Sequence, residues 1–361
     1  MSHHDHFSPD YSTARAKFRA ACAAENVEVT SWQHPLKGFH GEELATDAAW
    51  VGPRDARKML VLCSGTHGVE GLYGSGVQVG FLRDRLHREL PSGTAALLVH
   101  ATNPWGFSWL RRVNEDNIDV NRNFRDFHAK LPPNRGYLEI APFFEPREWN
   151  DRVRAELNKQ LRDYGAANGM AALHAAIGAG QHTHPNGVFY GGTGPSWSNR
   201  TVHEIVPHFL DAAEAVCVLD LHTGLGPFGY SEMICRHPPG SEALKLARQW
   251  FGKAVTSPQA GESESPVIEG NLRMAFPHIL PEATVIASAI EVGTQSATEV
   301  NAALFADNWL HLHGEPRSAQ GDEIRKQVRD AFYPDSGDWR DLCYPRAVEI
   351  QRAALAGLAA L

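Results

Sequence analysis

An α/β fold, with a buried sheet between helices, is what this sequence predicts, and three observations predict it. Short apolar runs recur at residues 59–63, 95–101, 215–221 and 284–290, each the length of a strand buried on both faces. Helical stretches separate the runs, among them the Ala-rich residues 11–25 and the small and apolar residues after Gly71. Three of the runs stop at or beside side chains that bind metals or move protons: His67 with Glu70, His222, and Glu291. Open α/β sheets gather their ligands at the carboxyl ends of strands.

Composition bounds what those side chains can serve. A chain of 361 residues, 43% apolar and 21% charged, can build one sizeable core, and large α/β enzymes of this size exist as single units. No repeat, low-complexity tract or linker divides it, so residues 1–361 are expected to form one domain. The formal net charge of -8 and the lack of a long Lys/Arg run argue against a nucleic-acid binder. No apolar segment approaches the ~20 residues that cross a bilayer, so no membrane partner is expected. Residues 3–6 are polar where a signal peptide would begin its apolar core. The five cysteines are odd in number and scattered, and Cys63 and Cys217 sit inside apolar runs, which predicts buried free thiols and a cytoplasmic setting.

Taken in order, residues 11–25 form an amphipathic helix, 27–32 alternate as a strand, and 41–50 form a second strand or extended loop. The run 59–63 is a buried strand; a Gly-rich turn carrying His67-x-x-Glu70 follows, then a helix to about residue 89. On a helix most His-x-x-Glu pairs are solvated neighbours, and 19 His with 42 acidic residues supply such pairs by chance. At a tight turn closing a buried strand, the same pair can offer one nitrogen and one oxygen to a single metal ion. The strand at 95–101 ends at Asn103-Pro104.

A polar loop spans 103–124, with Arg111, Arg112, Asn114, Asp119, Asn121 and Arg122 and no regular periodicity. Its arginines suit either surface ion pairs or fork-like recognition of a carboxylate. Residues 145–179 are helical in pattern. The Gly/Pro/Ser-rich segment 180–198 carries His182 and His184, whose spacing fits surface polarity better than ligation, and its glycines do not close into a phosphate loop. The strands at 215–221 and 284–290 then deliver His222 and Glu291. Two imidazoles, a carboxylate ligand and a free carboxylate make a three-ligand zinc site with a general base. After Val300 come a helix to about 313, a polar link at 314–321, a helix from about 322 and a final helix over 345–361.

The order His67-x-x-Glu70, Asn103-Pro-x-Gly106, Arg112-Val-Asn114, Asp119-x-Asn121-Arg122-Asn-Phe124, a distant His222 and a late Glu291 resembles the M14 zinc carboxypeptidases. Within them it is most similar to the DUF2817 group, over nearly the whole chain. It is similar also to murein peptide amidases in the Arg112-to-Asn121 spacing, and to aspartoacylase and succinylglutamate desuccinylase in overall order. The resemblance implies a mixed, mostly parallel eight-stranded sheet between helices and one zinc ion per chain held by His67, Glu70 and His222. It implies Glu291 as general base, Arg112 as the oxyanion-stabilising arginine, Asn121 and Arg122 as the pair that holds the substrate's free carboxylate, and Asp119 as orienter of a ligand histidine. Arg111, adjacent to Arg112, is an alternative for the oxyanion role or a further substrate contact.

The chain departs from the digestive enzymes in one place that matters for substrate. About twenty residues before the catalytic carboxylate they carry a tyrosine on a mobile loop; residues 267–273 contain none, and Arg273 there suits either an acidic substrate side chain or a structural ion pair. The expected activity is hydrolysis of an amide next to a free carboxylate, on a small peptide. The alternatives are deacylation of an N-acyl amino acid and a catalytically silent ligand-binding protein.

Overall fold

The structure is a computed structural model that describes residues 2–263 and 265–361. Its sheet has eight strands: β1 Val29–Lys37, β2 Glu43–Val51, β3 Lys58–Cys63, β4 Thr94–His100, β5 Ala215–Gly224, β6 Ser231–Cys235, β7 Val255–Thr256 and β8 Thr284–Gly293. They lie in the order β1-β2-β4-β3-β5-β8-β6-β7. The four apolar runs are the central, mutually parallel strands β4, β3, β5 and β8; β1, β2 and β6 pair antiparallel at the flanks.

Central strands are apolar on both faces over most of their length because alternate side chains feed two different cores. Leu60 and Leu62 of β3, Cys217, Leu219 and Leu221 of β5, and Ile286, Ile290 and Val292 of β8 pack in one layer. Met59, Val61 and Cys63, Val216 and Val218, and Val285 and Ala287 pack in the other. The helix Gly71–Arg83 is buried over residues 71–82, so it runs through the first layer rather than over it. All five cysteines are buried and free, as their apolar surroundings require.

Several elements differ from the sequence reading. The 145–179 pattern is two helices, Asp151–Asn168 and Met170–Gly178, broken where Gly169 takes φ +91°. The 103–124 loop contains a short helix, Pro104–Trp109, capped by the Asn103 side chain on the Gly106 N–H, and a 3₁₀ turn at Val120–Arg122. His222 and Glu291 lie inside β5 and β8, not past their ends. Strands β6 and β7 are too short to show a periodicity, and the helices Trp197–Leu210 and Glu242–Phe251 are further elements that the sequence reading does not include. The last helix starts earlier than expected, at Gly337, and runs through Pro345.

Two buried histidines set a pH limit on this fold. Burial pushes both His100 and His237 down to about 4. His237 Nε2 accepts the Ala287 N–H at 3.0 Å, and the His100 ring stacks on Phe18 at 4.6 Å. Their folded values lie below the ordinary 6.5, so an unfolded chain takes up protons first as pH falls. The stability they allow is full above pH 6.5 and is lost toward pH 4, at up to about 1.4 kcal/mol per pH unit for each ring. Urea midpoints at pH 7 and pH 5 should differ accordingly; a flat midpoint would reject neutral burial of these rings.

Candidate metal centre and active site

The parallel strands carry the site. From β3 the chain continues through the helix Gly71–Arg83 to β4 on one side, while β5 and β8 lie on the other. The carboxyl ends of β3 and β5 thus flank a point where strand order reverses, the usual location of a crevice. After Cys63 the chain leaves β3 through a tight turn to His67 and a 3₁₀ turn at Gly68–Glu70. The Gly68 and Val69 N–H groups donate to the Arg112 and Arg111 carbonyls at 3.1 and 2.9 Å, which binds the arginine segment to this turn. A Cβ on Gly68 would come within 2.0 Å of the Gly106 backbone, so only glycine allows that approach.

Three donor residues converge here. His67 Nδ1 lies 2.8 Å from Glu70 Oε1, His222 Nδ1 lies 3.0 Å from Glu70 Oε2, and the two Nδ1 atoms are 3.2 Å apart. Ligands about 2.0–2.1 Å from a tetrahedral ion stand roughly 3.3 Å from one another, so the donor set fits a zinc ion with a fourth position open. The outer nitrogens face carboxylates. His67 Nε2 is 3.3 Å from Asp119 Oδ1, and His222 Nε2 is 2.6 Å from Asp220 Oδ2. Such outer partners fix the ring orientation and turn Nδ1 inward.

Asp220 is the residue that sequence reasoning missed. It sits two positions before His222 in β5 and so shares its face, and it also accepts from the Thr66 hydroxyl at 2.7 Å. An acidic residue inside an otherwise apolar strand was the available signal.

Glu291 stands beside the three donors without joining them. In the parallel register of β5 and β8, His222 pairs directly with Glu291. One oxygen of Glu291, Oε1, accepts the Leu225 N–H at 3.0 Å, which leaves the other for a proton. Burial raises its carboxyl above the usual range, and Glu70 adds to the rise. Burial pushes Glu70 the same way, but His67 and His222 outweigh it and hold that carboxyl well below the range. His222 is pushed up to about 9, against the effect of burial, by Asp220 and Glu70. Two neighbouring carboxyls are thus driven apart in pKa, the arrangement in which one stays ionised and the other exchanges protons.

The two adjacent arginines face different partners. Arg112 Nε donates to Asp119 Oδ2 at 3.0 Å and its Nη1 lies 3.5 Å from Glu70 Oε1, with the guanidinium over Phe189 at 5.2 Å. Arg111 turns away from the three donors: its Nε donates to Asp307 Oδ2 at 2.8 Å and its Nη2 to Asn117 at 3.2 Å. The expectation that Arg111 contacts substrate meets a guanidinium that is paired, in this structure, with the buried Asp307 carboxylate. Arg112, Asn121 and Arg122 line one cavity with His67, Glu70, His222 and Glu291, of about 440 Å³. Asn121 Oδ1 accepts the Leu272 N–H at 3.1 Å, which turns its amide nitrogen elsewhere. Arg122 donates to the Asn121 and Gly178 carbonyls at 3.1 and 2.6 Å. His182 takes no part; its ring nitrogens meet the Gly192 carbonyl and Arg125. Arg273 is buried, 3.4 Å from Asp220.

A family model described as "Protein of unknown function (DUF2817)" matches residues 7–344. The chain belongs to that family. No curated protein matches it. Among solved structures, bovine thrombin-activatable fibrinolysis inhibitor, determined in complex with tick carboxypeptidase inhibitor, is similar at 12% identity and TM-score 0.51, covering 100% of both chains. A second structure of thrombin-activatable fibrinolysis inhibitor matches at 12% identity and TM-score 0.53, over 98% of this chain and 75% of that one. At such identities the likeness establishes the carboxypeptidase-like fold.

Proposed function

We propose that this protein is a zinc-dependent hydrolase that cleaves an amide bond next to a free carboxylate, in the manner of a carboxypeptidase. The observation that carries the reading is the meeting of His67, Glu70 and His222, with the unligated Glu291 directly across the register from His222. Bound by those three residues, a zinc ion would polarise a carbonyl and bring the pKa of water to about 7. Glu291 then takes the proton of the attacking water on its free oxygen and returns it to the leaving amine nitrogen. The Arg112 guanidinium, fixed by Asp119, donates to the carbonyl oxygen as negative charge develops there. Asn121 and Arg122 hold the substrate's carboxylate and so set which bond meets Glu291.

Arg122→Ala is expected to raise KM about tenfold or more with a smaller change in kcat, because a carboxylate clamp acts equally in ground and transition states. Steady-state kinetics on the best substrate would check this, and an unchanged KM would reject the clamp. The reading as a whole is tested by offering zinc-loaded and chelator-stripped protein a pool of short peptides and N-acyl amino acids, with products followed by mass spectrometry. Loss of single C-terminal residues, only with zinc, supports it. Cleavage confined to the acyl amino acids would make the protein a deacylase, and no cleavage of either would overturn the hydrolase reading.

A further inference from the structure

The cavity contains more cationic side chains than the proposed reaction uses. Arg236, Arg273 and Arg122 all line it, and each is at most 5% exposed with an Nε that has no partner among the described residues. Arg112 pairs with Asp119, Arg273 with Asp220 at 3.4 Å, and Arg122 lies 3.9 Å from Asp119. Arg236 has no carboxylate partner among the described residues. Its Nη1 donates to the Pro266 carbonyl at 2.9 Å and its Nη2 to the Ser265 hydroxyl at 2.7 Å, both neutral.

A buried guanidinium whose hydrogen bonds go only to neutral groups is costly. Burial, then the charges of Arg273 and Arg122, push Arg236 down to about 8 against the opposing pull of Glu291 and Glu232, so an anion in direct contact with it would be favoured. The segment that holds Arg236 is anchored to the carboxylate clamp. The Phe124 N–H donates to the Gly270 carbonyl at 2.8 Å, and a Cβ on Gly270, at φ +73°, would meet the Arg122 carbonyl at 2.4 Å. The segment that holds Arg236 is thus tied, through Gly270, to the chain beside Arg122, and Ile234, Ile268 and Pro266 line the same cavity and would cover the stem of a side chain.

We propose that Arg236, seconded by Arg273, is a specificity-determining anion subsite, and that the preferred amino acid on the leaving side of the bond is a dicarboxylate of the glutamate or aspartate class. Its α-carboxylate would meet Asn121 and Arg122 while its side-chain carboxylate neutralises Arg236. This rests on the hydrolase reading for its place in a reaction, but not for its binding chemistry.

The test separates the two. Calorimetric titration of the zinc-loaded full chain with L-glutamate and with its neutral isostere L-glutamine is expected to show at least about tenfold tighter binding of glutamate, since charge-assisted hydrogen bonds are the stronger kind. In Arg236→Met the ratio should fall toward one; in Arg236→Lys, which keeps the charge but loses the fork, it should be intermediate. Turnover of matched N-acyl-Glu and N-acyl-Gln substrates should show the same ordering in kcat/KM. Equal binding of glutamate and glutamine by the unmodified protein would overturn the proposal, whatever the variants do. So would a preference that survives in Arg236→Met. A glutamate preference that depends on Arg236, with no substrate cleaved, would uphold the anion subsite and reject the hydrolase reading instead.

Discussion

Glu291→Gln is expected to lower kcat by about 10³-fold while leaving the fold and the metal content intact, since positioned general acid–base groups contribute roughly 10²–10⁴. The substitution keeps the shape, and the amide oxygen can still accept the Leu225 N–H. What disappears is the oxygen that takes a proton. Glu291 is no member of the three-donor cluster, so zinc per chain should not change. A second consequence concerns stability. Burial and the neighbouring Glu70 raise the Glu291 carboxyl, so at neutral pH its charge costs the folded state energy. A group with a raised folded pKa favours the fold only where it is protonated; above that the contribution is lost. Metal-free Glu291→Gln should therefore melt at the same temperature as the parent at neutral pH, or higher. The decisive measurement is kcat alongside zinc content by atomic emission. Full turnover with zinc bound would remove Glu291 from the chemistry.

The part of this site that the sequence exposed and the part that it hid differ for a physical reason. His67, Glu70, His222 and Glu291 were legible because each interrupts or closes an apolar run, and a charged group at the edge of a doubly buried strand is conspicuous. The same runs gave the parallel centre of the sheet, since strands covered on both faces carry apolar side chains on both. Asp220 is as close to the chemistry as Asp119, but it lies within a run rather than at its end, where the eye reads through it. The flanking strands β6 and β7 are short, and β7 has two residues, so no periodicity can develop. Arg236 lies one residue past β6 and meets the site only through the fold; its partners Ser265 and Pro266 are about thirty positions away. Arg111 and Arg112 could not be separated from sequence for a related reason. Adjacent residues in an irregular segment point where tertiary contacts send them, and the contact that turns Arg111 away from the three donors, Asp307, lies 196 positions on.

That last distinction yields the second large effect. Arg112→Ala is expected to reduce kcat on the order of 10²–10³-fold, the usual cost of deleting one donor to a developing oxyanion. Because the donor acts as charge develops, kcat and kcat/KM should fall together and KM should move little. Arg112 also holds Asp119, whose other oxygen faces His67 Nε2, so a purely structural role would appear as lost zinc. Retention of one zinc per chain at the lowered kcat separates the two roles. Arg111→Ala should do the reverse. It leaves Asp307 buried without its guanidinium, and breaking a buried pair in this way typically costs about 3–5 kcal/mol of stability. The residual folded protein should still turn over. If Arg111→Ala instead lost its turnover with the fold intact, while Arg112→Ala kept it, the two neighbours would have to exchange roles, and the ion pair with Asp307 would be a resting contact that substrate displaces.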